Sequence, residues 1–255
     1  MSIPDDKLPY VSILTPTWKR SNFKPLMIHN LKYMDYPKDK LEQVIIDDVP
    51  DENDKLFITE QDRKDYEQEI GIPVRYYYKP KRHLSIGEKR NMLVKLAKYK
   101  TLICMDDDDV YVTCYIRYSI NALLSNKKIG IVCSPQMLFV FPYQDYKLTA
   151  IQCPSKRQGH EATMCFTIKH FRSMGGFVTK GVGEGSKLVD FNENSCLKTQ
   201  CEHCMICVCH DKNTVDKDRF SKTDDSEQGI INIDGKIDDN IKKIIQQCVE
   251  KRTNC

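Results

Sequence analysis

Strand-like apolar segments alternate with helix-like segments through the first half of the chain, and this alternation constrains the fold more than any other feature. Four strands are predicted, over residues 11–15, 43–46, 74–78 and 101–105. Residues 22–34 and 55–70 predict two of the helices that connect them. Crossovers of about a dozen or more residues are typical of parallel strands. The sequence therefore predicts an α/β fold with a mainly parallel central sheet flanked by helices.

The third connecting helix has the clearest start signal. Ser85 and Glu88 fit a capping box, in which each side chain bonds the other residue's backbone N–H. The positive end of this helix is surrounded by basic side chains, namely Arg82, His83, Lys89 and Arg90. A helix N-terminus with nearby cations suits a diphosphate. An ordinary solvated basic face gives the same pattern.

Acidic residues follow two of the predicted strands directly. Asp47 and Asp48 end the second strand, and the run Asp106 to Asp109 ends the fourth. Ligands of such sheets bind outside the carboxyl ends of the strands. Carboxylates held there can share a divalent cation, which offsets their mutual repulsion. We therefore interpret the run as a metal site for Mn²⁺ or Mg²⁺ rather than a solvated acidic loop. Asp47 and Asp48 are equally consistent with a ligand-binding role and with capping a turn.

Beyond residue 111 the pattern changes. Residues 116–124 predict a helix, and strands with shorter connections are predicted over residues 129–133, 136–141 and 162–168. Residues 221–228 are polar and predict a linker, and apolar positions from Ile237 to Val249 predict a terminal amphipathic helix. We predict a main domain over residues 1–220, and a linker with a C-terminal helix over 221–255.

Composition excludes several classes of protein. The 39 basic and 36 acidic residues leave a net charge of +3, which gives no bulk attraction for nucleic acid. No segment has the run of about 18 apolar residues that a transmembrane helix needs, and the first residues lack the apolar core of a signal peptide. We expect a soluble, cytoplasmic protein whose twelve cysteines are mostly reduced.

A cluster of cysteine and histidine residues lies near the end of the main domain. It consists of Cys201, His203, Cys204, Cys207, Cys209 and His210. Overlapping Cys-x-x-Cys pairs permit a structural zinc site. However, all of these residues fall within ten positions, and alternate side chains of a strand point to opposite faces. We therefore favour a cluster that does not bind zinc.

The segments "VSILTPTWKR", "VIIDD", "HLSIGEKRNMLVKLA", "LICMDDDDVY", "GGF", "GEG" and "HDKNT" occur in an order that resembles the nucleotide-sugar glycosyltransferases of family 2. The resemblance covers about residues 9–213. It implies a GT-A, Rossmann-like fold, with a donor half at about 9–111 and an acceptor half at about 112–220. The lysine, asparagine and isoleucine bias is also similar to glycosyltransferases of large DNA viruses.

The resemblance implies a metal-dependent, inverting transfer of a hexose from a UDP- or GDP-sugar to a glycan, lipid or protein hydroxyl. It places a set of residues at the donor: Thr15, Pro16, Thr17, Asp47, Asp48, Arg90, Asn91, Asp106 and Asp107. The triplet that starts at Asp106 is similar to the family's DxD motif, with Asp108 as the expected direct metal ligand and Asp106 toward the ribose or a metal-bound water. His210 is expected at the metal or diphosphate, or simply hydrogen-bonded near a strand end.

The catalytic base is where the sequence departs from the family pattern. Many members have a Glu-Asp pair after the Gly-Gly-Phe segment, whereas this chain has Glu184 followed by Gly185. Glu184 is the candidate base, or else it caps the helix that starts there, and Asp190 is the reserve. Two other functions stay open: a nucleotidyltransferase, and a non-catalytic or zinc-stabilised interaction module.

Overall fold

The computed structural model describes residues 3–213, 217–222 and 230–249, and this part of the chain forms two β-sheets with helices around them. The larger sheet has seven strands: β1 (Val11–Thr17), β2 (Leu41–Asp47), β3 (Val74–Tyr78), β4 (Thr101–Cys104), β6 (Ile131–Cys133), β9 (Cys165–Thr167) and β10 (Cys196–Lys198). Their order is β10-β6-β9-β4-β1-β2-β3. Strands β4, β1, β2 and β3 are parallel, and β9 is antiparallel to both β4 and β6. The predicted α/β fold with a mainly parallel sheet is confirmed.

The smaller sheet has five strands: β5 (Val110–Tyr111), β7 (Gln136–Phe141), β8 (Lys147–Gln152), β11 (Met205–Val208) and β12 (Ile231–Asn232). Their order is β12-β8-β7-β11-β5. Strand β11 pairs with the short β5 on one side and with β7 on the other. Because β5 directly follows the aspartate run, this pairing brings the cysteine-rich segment back beside the end of β4.

Six α-helices surround the sheets: α1 (Lys24–Lys32), α2 (Glu60–Ile70), α3 (Ile86–Leu96), α4 (Tyr115–Leu124), α5 (Ile168–Met174) and α6 (Asp239–Cys248). The alternation along β1 explains the layering, because Ile13 packs into a core with Met27 and Ile116, whereas Leu14 packs into a second core with Leu93. The capping box predicted for α3 is present, with Ser85 and Glu88 in both reciprocal bonds.

Several element boundaries differ from the prediction for local reasons. The strand predicted over 162–168 is only three residues long, because Glu161–Thr163 forms a 3-10 turn and the Thr167 hydroxyl caps the start of α5. The helix predicted over 55–70 begins at Glu60, where Thr59 and Asp62 form a capping box. The sequence analysis missed α5 and the strands β5, β8, β10 and β12.

The C-terminal helix is present and docks on the body of the protein. Ile245 and Ile237 of this region are buried in a core with Phe23 and Leu26, at the start of α1. The linker predicted over 221–228 lies largely outside the described residues, which stop at 222 and resume at 230. The division into donor and acceptor halves stays a prediction. None of the described helices is long and apolar enough to cross a lipid bilayer.

Candidate active site

A cleft of about 590 Å³ opens beyond the carboxyl end of β4, between the aspartate run and the smaller sheet. One wall is charged and contains Arg90, Asp106, Asp108, Glu161 and Glu184. The opposite wall comes mainly from the smaller sheet and is largely apolar, with Met137, Phe139, Ile151 and Phe220. The aspartate run therefore lies at a cleft, at the edge of the sheet where the sequence placed a site.

Arg90 is the centre of a buried ion network on the charged wall. Its Nε donates to Glu184 Oε1 at 2.9 Å, and its Nη2 lies 2.9 and 3.1 Å from the two carboxylate oxygens of Asp106. The arginine is only 1% exposed. Burial raises the pKa of Asp106, and the neighbouring Arg90 opposes that shift. Arg90 thus joins α3, the aspartate run and the segment after Gly183 into one charged unit.

Asp108 is held by residues that are distant in sequence. Its Oδ2 lies 3.0 Å from His210 Nε2 and 3.3 Å from both Arg20 Nε and Asn213 Nδ2. Burial disfavours the charged form of Asp108, but its bonds and charge interactions with His210 and Arg20 hold its pKa well below the usual range. Burial lowers the pKa of His210, so the imidazole is neutral at pH 7.

The other two aspartates of the run are more deeply buried than Asp108. Asp109 Oδ1 accepts a bond from the Val208 N–H at 3.0 Å and lies 4.0 Å from Lys217 Nζ. It therefore ties the run to β11, a structural role that the sequence analysis did not assign. Burial raises the pKa of Asp107, with Asp108 adding to the shift and Arg20 opposing it.

Asp47 and Asp48 both accept bonds from within the protein. The Asp47 carboxylate accepts from the N–H groups of Val49 and Leu56 and from the Tyr76 hydroxyl, at 2.7 to 3.2 Å, and so closes the loop after β2. Asp48 pairs with Lys89 Nζ at 2.5 Å and with His83 Nδ1 at 3.1 Å. The contacts of Asp47 are those of a residue that caps a turn, which was one of the two roles consistent with the sequence.

The three β1 residues expected at the donor are at the carboxyl end of that strand, with Thr15 and Thr17 buried. The Thr15 hydroxyl accepts from Gln43 Nε2 at 3.0 Å, and the Thr17 carbonyl accepts from Lys89 Nζ at 2.9 Å. Pro16 lies between them and pairs in register with Ile46 of β2. Lys89 therefore fastens the end of β1 to Asp48, at the neighbouring strand end.

Asn91 is placed differently from the expected donor contact. Its Nδ2 donates to the Phe177 carbonyl at 2.8 Å, and its Oδ1 accepts from the Phe177 N–H at 2.9 Å. Both ends of the amide are thus engaged by one backbone segment, and Asn91 does not line the cleft. Gly176 packs against it with a φ of +80°, a backbone conformation that favours glycine. Asn91 holds the Gly-Gly-Phe segment against α3.

Glu184 and Asp190 have different surroundings. Glu184 begins the 3-10 turn Glu184–Lys187, is 4% exposed and pairs with Arg90. The sequence suggested that a helix starts near Glu184 and contains Asp190, but Asp190 lies after the 3-10 turn. Its carboxylate accepts from Arg157 Nε at 3.1 Å. It does not line the cleft. Glu161, which the sequence analysis did not single out, lines the cleft beside Glu184.

The cysteine and histidine cluster does not converge. Among the described residues, no group of three or more His, Cys, Asp or Glu side chains is arranged to hold a metal. Cys201 and Cys204 bond backbone carbonyls, Cys207 lies 3.5 Å from His160 Nε2, and His210 turns to Asp108. The eleven cysteines in the described part are all free. The structural zinc alternative thus has no support in this part of the chain.

The pair Asp108 and His210 fits a divalent cation. Neighbouring ligands of an octahedral ion with bonds of about 2.1 Å are about 3 Å apart, which matches the 3.0 Å between Asp108 Oδ2 and His210 Nε2. An ionised carboxylate and a neutral imidazole are also the forms that bind metal. Because His210 Nδ1 accepts from the Lys212 N–H at 3.2 Å, Nε2 carries the imidazole proton, and metal binding at Nε2 would require that proton to move to Nδ1. Among residues 3–213, 217–222 and 230–249, no third His, Cys, Asp or Glu is arranged to join this pair around a metal, so a phosphorylated ligand and water would supply the other ligands, as is usual for Mg²⁺.

Four residues of the site received no role from the sequence. Arg20 and Asn213 contact Asp108, Lys217 lies beside Asp109, and Glu161 faces Glu184. Arg20 and Asn213 lie inside "TWKR" and "HDKNT", two of the segments that carry the family resemblance, so their positions could have indicated a role in the site. Glu161 follows a polar loop and has no such signal.

The family model "Glycosyl transferase family 2" matches residues 12–179, which is more than half of the chain. No curated protein sequence matches significantly.

Solved structures resemble the chain at low sequence identity. The mannosyltransferase PcManGT of Pyrobaculum calidifontis, in complex with GDP-Man and Mn²⁺, is 17% identical with a TM-score of 0.60, covering 96% of this chain and 71% of that one. TarS 1–349 of S. aureus in complex with UDP-GlcNAc is 13% identical with a TM-score of 0.58, covering 80% of this chain and 60% of that one. The resemblance noted in the sequence is thus confirmed, as is the fold. The chain belongs to glycosyl transferase family 2 and has the GT-A fold that the sequence predicted.

Proposed function

We propose that this protein is a metal-dependent, inverting glycosyltransferase that moves a hexose from a UDP- or GDP-sugar to an acceptor hydroxyl. The observation that carries the proposal is the 3.0 Å approach of Asp108 to His210 at the edge of a cleft whose charged wall also holds Glu161 and Glu184. A metal-binding pair and a pair of carboxyl groups thus line or border one cavity. The complexes of PcManGT with GDP-Man and Mn²⁺ and of TarS with UDP-GlcNAc support the donor class.

Asp108 and His210 would hold the cation, Mn²⁺ or Mg²⁺. Such an ion neutralises the negative charge that develops on a departing nucleoside diphosphate. Lys217 also lines the cleft, and neighbouring carboxylates and thiols hold its pKa above the ordinary value against the effect of burial. It is therefore a fixed cation near the leaving group. Asp106, held by Arg90, and the ends of β1 and β2 would form the nucleotide side of the site.

A carboxylate across the cleft would take the proton of the acceptor hydroxyl. Glu161 and Glu184 are the two acidic residues of the charged wall that do not belong to the aspartate run. Attack from their side, opposite the diphosphate, is a single displacement and inverts the anomeric carbon. The apolar wall of the smaller sheet would receive the acceptor.

A screen of nucleotide sugars tests this proposal. UDP-glucose, UDP-GlcNAc and GDP-mannose are added with and without Mn²⁺, and thermal shift and nucleoside diphosphate release are measured. We expect at least one donor to raise the melting temperature only when Mn²⁺ is present. Release of a sugar 1-phosphate instead of a nucleoside diphosphate would point to a nucleotidyltransferase, and Mn²⁺-independent behaviour with every donor would contradict metal dependence.

The Asp108→Ala variant sharpens the screen. A metal ion contributes several kcal/mol to stabilisation of the transition state, and each 1.36 kcal/mol is about tenfold in rate. We therefore expect turnover to fall by about 10³-fold, and the Mn²⁺-dependent shift to disappear. The matched control is Asp39→Ala, which removes an exposed carboxylate away from the cleft. If Asp108→Ala keeps its Mn²⁺ response, the metal site lies elsewhere.

A further inference from the structure

The space at Gly185 is filled by the side chain of Glu161. A Cβ atom built on Gly185 would lie 2.9 Å from Glu161 Cγ and 2.3 Å from Met164 Cε, which is too close for either atom. The Gly185 N–H in turn faces Glu161 Oε1 at 3.3 Å. Position 185 thus lacks a side chain of its own and holds in its place a carboxylate from the turn Glu161–Thr163.

From this arrangement we propose that Glu161, rather than Glu184, is the general base of the transfer reaction. The inference deepens the proposed function and rests on it. Glu161 lines the cleft that an acceptor would enter.

Glu184 is engaged in a way that does not suit a base. Its Oε1 accepts from Arg90 Nε at 2.9 Å, and Arg90 is at the same time bonded to both oxygens of Asp106. The ion pair with a buried guanidinium occupies Glu184 Oε1 and fixes the direction of its carboxylate. Glu184 is therefore a positioning residue, because it orients the arginine that holds Asp106.

No ion pair of Glu161 with a basic side chain occurs among the described residues within 4.0 Å. The charged groups that act on it are Glu184 and, more weakly, Arg90, while the neighbouring thiols of Cys133 and Cys153 and the His160 ring are uncharged at neutral pH. Burial, followed by the charge of Glu184, raises the pKa of Glu161 to about 7. A base with a pKa near the working pH is efficient in proton transfer.

The step balances without any further reactant. The Glu161 carboxylate takes the proton of the acceptor O–H while the acceptor oxygen bonds to the anomeric carbon of the donor. The bond from that carbon to the phosphate oxygen breaks, and its electron pair leaves on the nucleoside diphosphate. A protonated Glu161 remains and releases its proton to solvent before the next cycle.

The first test compares Glu161→Gln with Glu184→Gln, using a donor that the wild-type protein turns over with Mn²⁺, and octyl glucoside or water as acceptor. We expect Glu161→Gln to lower kcat by about 10²- to 10⁴-fold, with unchanged Mn²⁺-dependent binding of UDP or GDP. We expect wild-type kcat to rise with pH up to about 7, where Glu161 ionises, and that limb to vanish in Glu161→Gln but to persist in Glu184→Gln.

Stability provides a readout that does not depend on turnover. The pKa of Glu161 is about 7 in the folded state against 4.5 for an unperturbed glutamate, so the folded state binds the proton more tightly than the unfolded state. Stability is therefore lost as pH rises through this window. The melting temperature of wild type should fall relative to Glu161→Gln between about pH 4.5 and 7.

A swap of the carboxylate between the two positions is the sharpest variant. Glu161→Ala combined with Gly185→Asp removes one carboxylate and supplies another from the adjacent turn, where Gly185 has no left-handed backbone conformation. The new Cβ still approaches Met164 Cε, the free end of a flexible side chain, which must shift to accommodate it. We expect this double variant to recover at least about tenfold of the kcat lost in Glu161→Ala alone, as a carboxylate returned to the same space restores general base catalysis.

The outcomes separate this inference from the proposed function. If the wild type turns over a donor and Glu161→Gln keeps both its kcat and its pH limb, Glu161 is not the base, whereas the proposed function stands. If Glu184→Gln loses the limb instead, the base is Glu184. If no donor binds or reacts with wild type, both proposals are overturned.

Discussion

The two walls of the cleft differ in the interactions that form them. The charged wall holds its side chains through ion pairs and hydrogen bonds with fixed geometry, such as Arg90 between Asp106 and Glu184 and His210 against Asp108. The opposite wall is formed by apolar side chains, such as Phe139 and Ile151 of the smaller sheet and Phe220 of the 3-10 turn Asp218–Ser221. Phosphate and metal chemistry demands particular atoms at particular distances, whereas an apolar surface can be made by many sequences. The sequence therefore predicted most residues of the charged wall, with Glu161 as an exception, and none of the apolar wall.

Removal of Arg90 from the charged wall is expected to have the largest effect on stability and turnover. Arg90→Met leaves the buried carboxylates of Asp106 and Glu184 without their cation, and breaking such a buried pair costs about 3–5 kcal/mol. We expect a loss of that size in the free energy of unfolding by urea, with loss of turnover. The deficit should be smaller at pH 5 than at pH 8, since protonation removes the unpaired charges.

Lys95→Met is the matched control for this prediction. Lys95 is an exposed cation on the same helix, α3, and its replacement should change stability by less than about 0.5 kcal/mol. Equal destabilisation by the two variants would mean that Arg90 acts through net charge rather than through its buried partners.

Truncation on the apolar wall should give an intermediate and more selective effect. Ile151→Ala removes half-buried apolar surface from the cleft, where a methylene group is worth about 1–3 kcal/mol in binding. We expect the KM for octyl glucoside to rise by about tenfold, with unchanged Mn²⁺-dependent UDP or GDP binding. Leu124→Ala, on the exposed face of α4, should change neither. If nucleotide affinity falls with Ile151→Ala, the two walls are not functionally separate.

The smallest effect is expected at Asp190, the reserve base of the sequence analysis. Its partner Arg157 has a side chain that is 74% exposed, and exposed ion pairs contribute little. Asp190→Ala should keep kcat within about twofold of wild type, measured as nucleoside diphosphate release. A large drop in kcat with normal folding would return Asp190 to the list of candidate bases.

The sequence predicted those features that follow from local pattern. The four parallel strands, the capping box at Ser85 and the cleft beside the aspartate run depend on hydrophobic periodicity and on the general geometry of parallel sheets. Short strands such as β10 were missed because three residues carry no periodicity. The helix α5 was missed because its start depends on the Thr167 cap within a segment that also suits a strand.

Contacts between residues far apart in the sequence could not be predicted from local sequence pattern. Asn91 has a family-like position in "EKRN", yet its amide bonds the Phe177 backbone, because the Gly-Gly-Phe segment packs onto α3 only in the folded chain. The proximity of Glu161 to Gly185 arises in the same way, from two turns that are 24 residues apart in the chain. Gly185 in place of an acidic residue showed that the chain departs from the family pattern. It did not show that Glu161 fills the space at position 185.

The contact between Asp108 and His210 joins residues that are 102 positions apart, and Arg20 reaches the carbonyl of Lys212 across 192 positions. Closing such long loops has an entropic cost that is recovered only when their ends have met. During synthesis on the ribosome, the first four strands can pair well before residue 210 has been translated. A nascent chain thus builds first the edge of its sheet that we propose faces the nucleotide, and the proposed cation-binding pair, Asp108 and His210, can form only when the last fifth of the chain has emerged.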